Sequence, residues 1–224
     1  MATLFRVACL AARLAEAGFH VLRFDYFGTG DSGGEAWDGS PDLWLEDTAA
    51  AVEELRDMAG VRTVSLVGMR LGAVLAARLA ASRRDIDRLV LWDPVISGAE
   101  HLGRLAEAHP RLGGAEEVAP DLAAAAGAID AEGFPLSAVA CEQVAAIDLL
   151  HAPAPRVRSA LLLTPGADPR VDALAAAFVA AGVAARARAI AAPTDGPGSD
   201  DFVNTVMPTE VLDAVVDYFQ EASR

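Results

Sequence analysis

The sequence predicts an α/β fold in which one parallel β-sheet is flanked by helices. The first observation behind this prediction is the alternation of strand-like apolar runs with Ala/Leu-rich helical patterns along the 224 residues. The second is the run from Ile86 to Trp92, which is mostly apolar, as expected of a strand that is covered on both faces. The third is an apolar strand over 62–68 that passes through a glycine-flanked turn directly into a helix.

Most of the elements carry a local start or stop signal. A helix over 4–17 ends at Gly18, a strand over 19–25 leads into the turn-rich segment 28–34, and Pro208 opens the last helix. The other predicted helices cover 42–59, the stretch from the glycine-flanked turn to about residue 82, and 171–182, with the last helix over 208–222. The other predicted strands cover 62–68, 86–92, 157–164 and 185–190.

A long insert separates the strands at 86–92 and 157–164. It covers about residues 97–156, is rich in alanine and contains two or three helical patterns. Connections between a strand and a helix usually have ~2–6 residues, so this insert is a substructure in its own right. We predict a single domain over residues 1–224, in which the insert forms a helical lid over the site.

Composition limits the possible partners and location. The formal net charge of −14 argues against nucleic acid or an anionic membrane surface as the main partner. The chain shows no uninterrupted apolar run of ~20 residues and no signal-peptide pattern. Two cysteines, Cys9 and Cys141, form no disulfide framework and suit a reducing compartment, so we predict a cytoplasmic protein. Because His101 and His109 are scattered, we expect neither a metal site nor a cofactor.

The turn after the strand at 62–68 places a charged side chain between two glycines. The segment Gly68-Met69-Arg70-Leu71-Gly72 suits a strained strand-to-helix turn that exposes the side chain at its apex. Gly68 and Gly72 would let the strand and the helix pack closely around that turn. Arg70 is therefore predicted to project from the edge of the sheet.

Six segments of the sequence together carry a resemblance to one group of enzymes. They are Leu22 to Gly33, Trp37 to Asp47, Gly68 to Ala73, Leu91 to Gly98, Gly133 to Ser137 and Ala146 to Leu149. With these segments the sequence is similar to the serine aminopeptidase-like α/β-hydrolases, most closely to the branch known as exosortase A system-associated hydrolases. The resemblance covers nearly the whole chain, and it implies an α/β-hydrolase fold with a helical lid. It also implies that Arg at the turn is common in that branch, where other hydrolases hold the nucleophilic Ser.

The resemblance assigns the triad positions, and two of the three required residue types are missing. Arg70 stands at the nucleophile position, and Asp168 matches the acid position. The base position, in the loop after the strand at 185–190, holds no His, and the nearest aligned residue is Asp201. All four histidines lie upstream of that loop: His20, His101, His109 and His151. A Ser–His–Asp triad cannot be assembled from these residues.

The resemblance also implies that the first strands of the fold are missing from the sequence. Its first three strands would precede the helix at 4–17, and the third would lie between the strands at 19–25 and 62–68. Without that third strand, a row of backbone donors and acceptors is left unpaired. We expect Met1 to be internal to a longer chain. The alternative is a shortened sheet that is completed by direct pairing of the two strands or by another chain.

Two interpretations of Arg70 stay open. It could pair with Asp168 and so fill the former catalytic site. It could instead anchor a carboxylate or phosphate at the amino end of a helix. Met69 lies next to it, and Asp93 follows a strand at the edge where α/β sheets bind ligands, so both are candidate substrate-binding residues.

These observations leave three hypotheses for function. The first is a hydrolase-like protein with a degenerate triad that binds an acidic or acylated small molecule. The second is an enzyme of altered chemistry, a hydrolase, acyltransferase or isomerase, that uses Asp93, Asp168 or Asp201 together with Arg70. The third is a structural subunit whose sheet is completed by a protein partner, with a homo-oligomer as one form of it.

Overall fold

The computed structural model describes residues 2–108, 129–130, 135–190 and 209–221. Seven helices are described, at α1 Ala2–Glu16, α2 Pro41–Ala59, α3 Leu71–Ser82, α4 Gly98–Ala108, α5 Ala138–Ala145, α6 Pro169–Ala180 and α7 Thr209–Gln220. A single 3₁₀ turn at Ala36–Asp38 precedes α2 within the same part of the chain. The described strands are β1 Val64–Met69, β2 Ile86–Trp92, β3 Ile129–Asp130, β4 Pro135–Leu136, β5 Ser159–Thr164 and β6 Ala184–Ala189.

Four of the strands form a parallel sheet in the order β1-β2-β5-β6. Val67 of β1 is in register with Val90 of β2, which is in register with Leu161 of β5 and so with Arg186 of β6. The strand β6 lies at one edge, and nearly all of its side chains are exposed. The short strands β3 and β4 pair antiparallel as a separate ribbon. The parallel sheet that the sequence predicts is confirmed.

Alternate side chains of the central strands enter two different cores. Leu89 and Leu91 of β2 pack with residues of α2, α3 and α6 on one face of the sheet. Val90 and Trp92 pack with residues of α1 and α7 on the other face. Because successive residues of a strand point to opposite faces, the part of a strand that lies between two helical layers is apolar on both faces. All three of Leu89, Val90 and Leu91 have no exposed surface.

The helix limits follow ordinary capping rules. The Ser40 hydroxyl accepts a hydrogen bond from the amide of Leu43 at the start of α2, and Gly60 ends that helix with φ 66°. The side chain of Arg88 lies beneath the end of α7, where it donates hydrogen bonds to the carbonyls of Tyr218 and Phe219 at 3.1 and 3.2 Å. A cation at a helix carboxyl end is favourable because the last carbonyls are otherwise unpaired.

The predicted strand over 19–25 is not formed. Residues 19–26 have no regular secondary structure between α1 and the turns at 27–34. A single extended segment needs a hydrogen-bonding neighbour to become a strand. Here the nearest strand edge, that of β1, is separated from the segment by a cavity.

The insert at 97–156 is described in part. It contributes α4, the β3–β4 ribbon and α5, and Ser97 forms an isolated antiparallel bridge with Asp148. Residues 109–128 and 131–134 of the predicted lid lie outside the described residues. Within the part of the chain that the structure describes, no helix is both long and apolar enough to cross a membrane.

Candidate functional site

Arg70 forms a strained turn between β1 and α3. Its backbone has φ 54° and ψ −116°, a conformation that costs a non-glycine residue roughly 1–3 kcal/mol. The amide of Arg70 donates to the Trp92 carbonyl at 2.9 Å, and its carbonyl accepts from the amide of Val95 at 3.3 Å. Because the last residue of β2 and the loop after it bond to the amide and the carbonyl of Arg70, the strained turn is held in place.

The glycines on either side of Arg70 have different roles. A Cβ atom at Gly68 would lie 2.3 Å from the Gly72 carbonyl oxygen and 2.6 Å from the Ala73 Cα atom, so only glycine fits there. A Cβ atom at Gly72 would meet its nearest neighbour, the Tyr26 hydroxyl, at 3.6 Å, which is an ordinary contact. The close approach that the sequence predicts is therefore confirmed at Gly68, while Gly72 contributes its backbone to that approach.

The side chain of Arg70 is exposed. It forms no ion pair and no hydrogen bond with any residue in the described parts of the chain. The predicted pair with Asp168 is not formed there, because Asp168 has another partner. Its carboxylate lies 3.0 Å from an Nη atom of Arg170 and also accepts from the Arg170 amide at 2.9 Å.

Asp168 is thereby engaged at the start of α6. It caps that helix, and the Arg170 guanidinium holds the pKa of the Asp168 carboxyl below its usual value. Arg170 also forms an ion pair with Glu100 of α4. Asp168, which the resemblance places at the acid position, thus takes part through Arg170 in a contact between α6 and α4.

A buried histidine lies close to Arg70. His101 of α4 is 8% exposed, and its ring makes no hydrogen bond with the residues that the structure describes. Burial, and after it the positive charges of Arg70 and Arg104, together lower the pKa of His101 to about 4. His101 is therefore neutral at pH 7, beside two arginines.

Sequence reasoning did not connect His101 and Arg104 with Arg70. The two residues of α4 are three positions apart, so they share one face of that helix. This spacing was visible in the sequence. What the spacing could not indicate is the packing that brings this helix next to the turn after β1.

The other predicted site residues take different positions. Asp93 is half-buried at the end of β2, where its backbone has φ 47° and its amide donates to the Leu163 carbonyl at 2.7 Å. Met69 is half-buried against the core on the α1 and α7 side of the sheet. Asp201 lies outside the described residues. Among those that are described, no three His, Cys, Asp or Glu side chains come together as a metal site would require.

A parallel sheet with helices on both faces and a strained turn between a strand and the helix that follows is typical of an α/β-hydrolase fold. The sequence model of the family described as serine aminopeptidase, S33, matches residues 3–128. This is more than half of the chain, and the chain belongs to that family. The expected hydrolase fold is confirmed. A comparison with curated proteins found no match.

Solved structures with the same fold include several esterases. Est1E from Butyrivibrio proteoclasticus with ferulic acid bound has a TM-score of 0.67 and 19% identity, over 96% of this chain and 82% of that one. An esterase of Pyrococcus furiosus has a TM-score of 0.62 and 20% identity, over 96% and 77% of the two chains. The esterase domain of a Rhodothermus marinus protein has a TM-score of 0.58 and 18% identity, over 96% and 80%. At these identities the likeness concerns the fold.

Proposed function

We propose that this hydrolase-fold protein binds a small molecule bearing a carboxylate, or the acyl group derived from one, and does not perform serine hydrolysis. The observation that carries the proposal is the exposed guanidinium of Arg70, which projects from the strained turn without a carboxylate partner among the described residues. Strained backbone conformations lower stability and are found mainly where the side chain that they position has a function. Arg70 is at the carboxyl edge of the sheet, where α/β proteins bind ligands.

The residue types explain why hydrolysis by a serine is not proposed. A guanidinium stays protonated at any physiological pH and has no lone pair to offer as a nucleophile. No histidine follows His151 in the sequence, so the position after β6 that the resemblance assigns to the base has no imidazole. With neither group in place, the triad is degenerate, and Arg70 takes the position of the nucleophile.

The same residues suit an anion. Arg presents paired N–H donors in a plane that matches the two oxygens of a carboxylate. Arg70 also lies at the start of α3, where the unpaired amides and the helix dipole favour negative charge. Arg104 adds a second cation near His101, and the neutral His101 ring can donate one N–H. An anion here would compensate charges that the described residues leave unpaired.

Binding can be tested with two defined carboxylates. Ferulate is chosen because ferulic acid is bound to Est1E, and octanoate is a purely aliphatic probe. We expect at least one of them to raise the melting temperature of the protein saturably. A charge-assisted hydrogen bond contributes about 1.5–3 kcal/mol, so Arg70→Ala should weaken binding by about 10- to 100-fold in calorimetry. Arg70→Lys should retain part of the affinity.

The matched control is Arg62→Ala. Arg62 is exposed and precedes β1, at the opposite end of the same strand. Its removal changes the net charge by the same amount and should leave the affinity unchanged. If Arg62→Ala weakened binding as much as Arg70→Ala, the effect would be a general one of charge, and the anchoring role of Arg70 would be refuted.

Turnover of p-nitrophenyl butyrate distinguishes binding from altered chemistry. We expect no hydrolysis above background by the native protein or by Arg70→Ala. Hydrolysis by the native protein that disappears in Arg70→Ala would overturn the binding proposal in favour of an enzyme that uses Arg70 without a serine. Hydrolysis that persists in both proteins would overturn the claim that the site is non-catalytic.

A further inference from the structure

Arg70 and Asp93 are neighbours at the carboxyl edge of the sheet. They directly follow Met69 and Trp92, which are register partners at the ends of β1 and β2. Neighbouring strands lie ~4.8 Å apart, so the backbones of Arg70 and Asp93 are close together. The amide of Asp93 donates to the Leu163 carbonyl of β5 at 2.7 Å, which fixes the Asp93 backbone against the next strand.

These two side chains carry opposite charges, and yet they form no ion pair with each other. The Asp93 side chain, like that of Arg70, forms no hydrogen bond and no ion pair with any residue in the described parts of the chain. Asp93 is half-buried. Among the described residues, the only buried side-chain N or O atom without a partner is Nε of Arg56, so the Asp93 oxygens keep contact with solvent. Asp93 is therefore an unused acceptor that a ligand can reach.

The backbone of Asp93 does not explain why a carboxylate stands at this position. Its φ is 47°, whereas a residue before proline, here Pro94, usually has an extended backbone with φ of about −120°. Asp tolerates the left-handed region better than most residues do, but Asn tolerates it as well and Gly adopts it without steric cost. The strained backbone alone would suit any of the three residue types. The negative charge therefore needs another reason.

The unpaired charges near this edge do not cancel. Arg70 and Arg104, which both act on His101, are exposed and have no ion-pair partner among the described residues. The carboxylates of Asp168 and Glu100 are engaged by Arg170. Two guanidiniums and the Asp93 carboxylate thus remain unpaired, with one positive charge in excess. A ligand with a single negative charge would balance them, whereas a zwitterion such as an amino acid would not.

We propose that the ligand held by Arg70 carries a hydroxyl group close to its carboxylate, as a 3-hydroxy acid does, and that Asp93 accepts a hydrogen bond from that hydroxyl. The ligand carboxylate binds the Arg70 guanidinium, which offers paired donors. The hydroxyl is an uncharged donor, so it satisfies an Asp93 oxygen without adding a positive charge. The two groups belong close together on the ligand because Arg70 and Asp93 follow register partners on adjacent strands. This inference rests on the proposed function, since it takes Arg70 as the anchor of the carboxylate.

The arrangement favours the hydroxy acid over the plain acid. An acid without the hydroxyl would displace water from the Asp93 carboxylate and leave that charge without a partner, which is costly. A site that bonds a ligand hydroxyl therefore discriminates against the analogue that lacks it. His101 is the alternative acceptor, because its neutral ring has one acceptor nitrogen and makes no hydrogen bond with the described residues. The experiment must separate His101 from Asp93.

The test compares two matched ligands, 3-hydroxyoctanoate and octanoate, by calorimetry at pH 7. We expect the native protein to bind the hydroxy acid about 10-fold more tightly, because the plain acid lacks a hydrogen bond to a charged group. Asp93→Gly, which suits the positive φ, should bind both acids with equal affinity. Asp93→Asn keeps an uncharged acceptor and should retain a preference of about threefold. The control His101→Gln should retain the full preference.

The contrary results separate this inference from the proposed function. Equal binding of the two acids by the native protein, weakened for both by Arg70→Ala, would refute the hydroxyl preference and leave Arg70 as the anchor. A preference that persists in Asp93→Gly would refute Asp93 as the acceptor, and its loss in His101→Gln would assign that role to His101. Tighter binding of 3-aminooctanoate than of 3-hydroxyoctanoate would refute the hydroxyl in favour of a zwitterion. Binding of neither acid would overturn this inference, and the proposed function too if ferulate also fails to bind.

Discussion

Arg70 and Asp93 lie at the ends of neighbouring strands, and both have a left-handed backbone. Their φ angles are 54° and 47°, and no other non-glycine residue in the described parts of the chain has a positive φ. They are linked through Trp92, whose carbonyl accepts from the Arg70 amide at 2.9 Å. Strain is thus concentrated at the carboxyl edge of β1 and β2, the edge at which α/β sheets bind ligands.

Replacing Arg70 with glycine should stabilise the protein. Glycine adopts a positive φ without steric cost, so the free energy of unfolding should increase by about 1 kcal/mol, or ~2–4 °C in melting temperature. Urea unfolding measures this change. The control is Arg70→Ala, which removes the guanidinium but keeps the Cβ atom and its strain. An Arg70→Gly protein that is less stable than Arg70→Ala would show that the turn is not strained.

His101 should make the protein less stable in mild acid. Its pKa is about 4 in the folded protein and about 6.5 when unfolded, so between these values the unfolded chain binds more protons. Stability is therefore lost as the pH falls from about 6.5 towards 4, by at most about 3 kcal/mol. Urea unfolding at pH 7 and pH 4 should show a smaller loss in His101→Gln, and an equal loss in both proteins would contradict the assignment.

The pKa of His101 should also depend on Arg70. Removing the neighbouring cation in Arg70→Ala should raise the pKa of the His101 ring, because the protonated ring is then less strongly repelled. A titration of the ring protons by nuclear magnetic resonance measures it. Arg62→Ala, at the other end of β1, should leave this pKa unchanged. An unaltered value in Arg70→Ala would mean that Arg70 does not act on His101.

Alanine substitutions at two glycines of α4 should change the stability of the protein in opposite directions. A Cβ atom at Gly98 would lie 1.6 Å from the Val144 carbonyl oxygen of α5, so Gly98→Ala must displace one helix, at a cost of about 2 kcal/mol or more. At Gly103 an added Cβ atom meets nothing within 4 Å, and the higher helix propensity of alanine should stabilise the protein by up to about 1 kcal/mol. Thermal unfolding compares the two variants. Equal effects would refute close packing of α4 on α5.

Asp168 should contribute to stability as a helix cap more than as an ion pair. Asp168→Asn keeps an oxygen for the Arg170 amide and loses only the partly exposed ion pair, so a cost below about 1 kcal/mol is expected. Asp168→Ala loses the cap as well and should cost about 1–2 kcal/mol. Thermal unfolding at pH 7, where the carboxylate is ionised, separates the two. A larger cost for Asn than for Ala would contradict the capping role.

The sequence predicted the elements whose signals are local. The limits of β2 and of α2 were predicted to within one residue, because an apolar run and a helical period are patterns of neighbouring residues. The strand over 19–25 was predicted from the same kind of pattern and is not formed. Its state depends on a neighbour far away in sequence, which no local pattern contains.

The candidate site was predictable in part for a similar reason. The strained turn at Arg70 follows from the spacing of Gly68 and Gly72, which is a local signal. Its proximity to His101 depends on how α4 packs after β2, and the preference of Asp168 for Arg170 depends on geometry within one turn of α6. Tertiary packing therefore decided the proximity of Arg70 to His101. Competition between two possible arginine partners decided the pairing of Asp168.

The two edges of the sheet differ in how they resist unwanted association. At the β6 edge, Arg186 and Arg188 place charges on an exposed strand, which discourages the edge-to-edge pairing that leads to aggregation. The segment Val64–Met69 carries no charge at all. Because β1 pairs on one side with no described strand, we expect this uncharged edge to lower the solubility of the protein during expression. The solubility of the protein during expression would then indicate whether this edge of β1 is exposed.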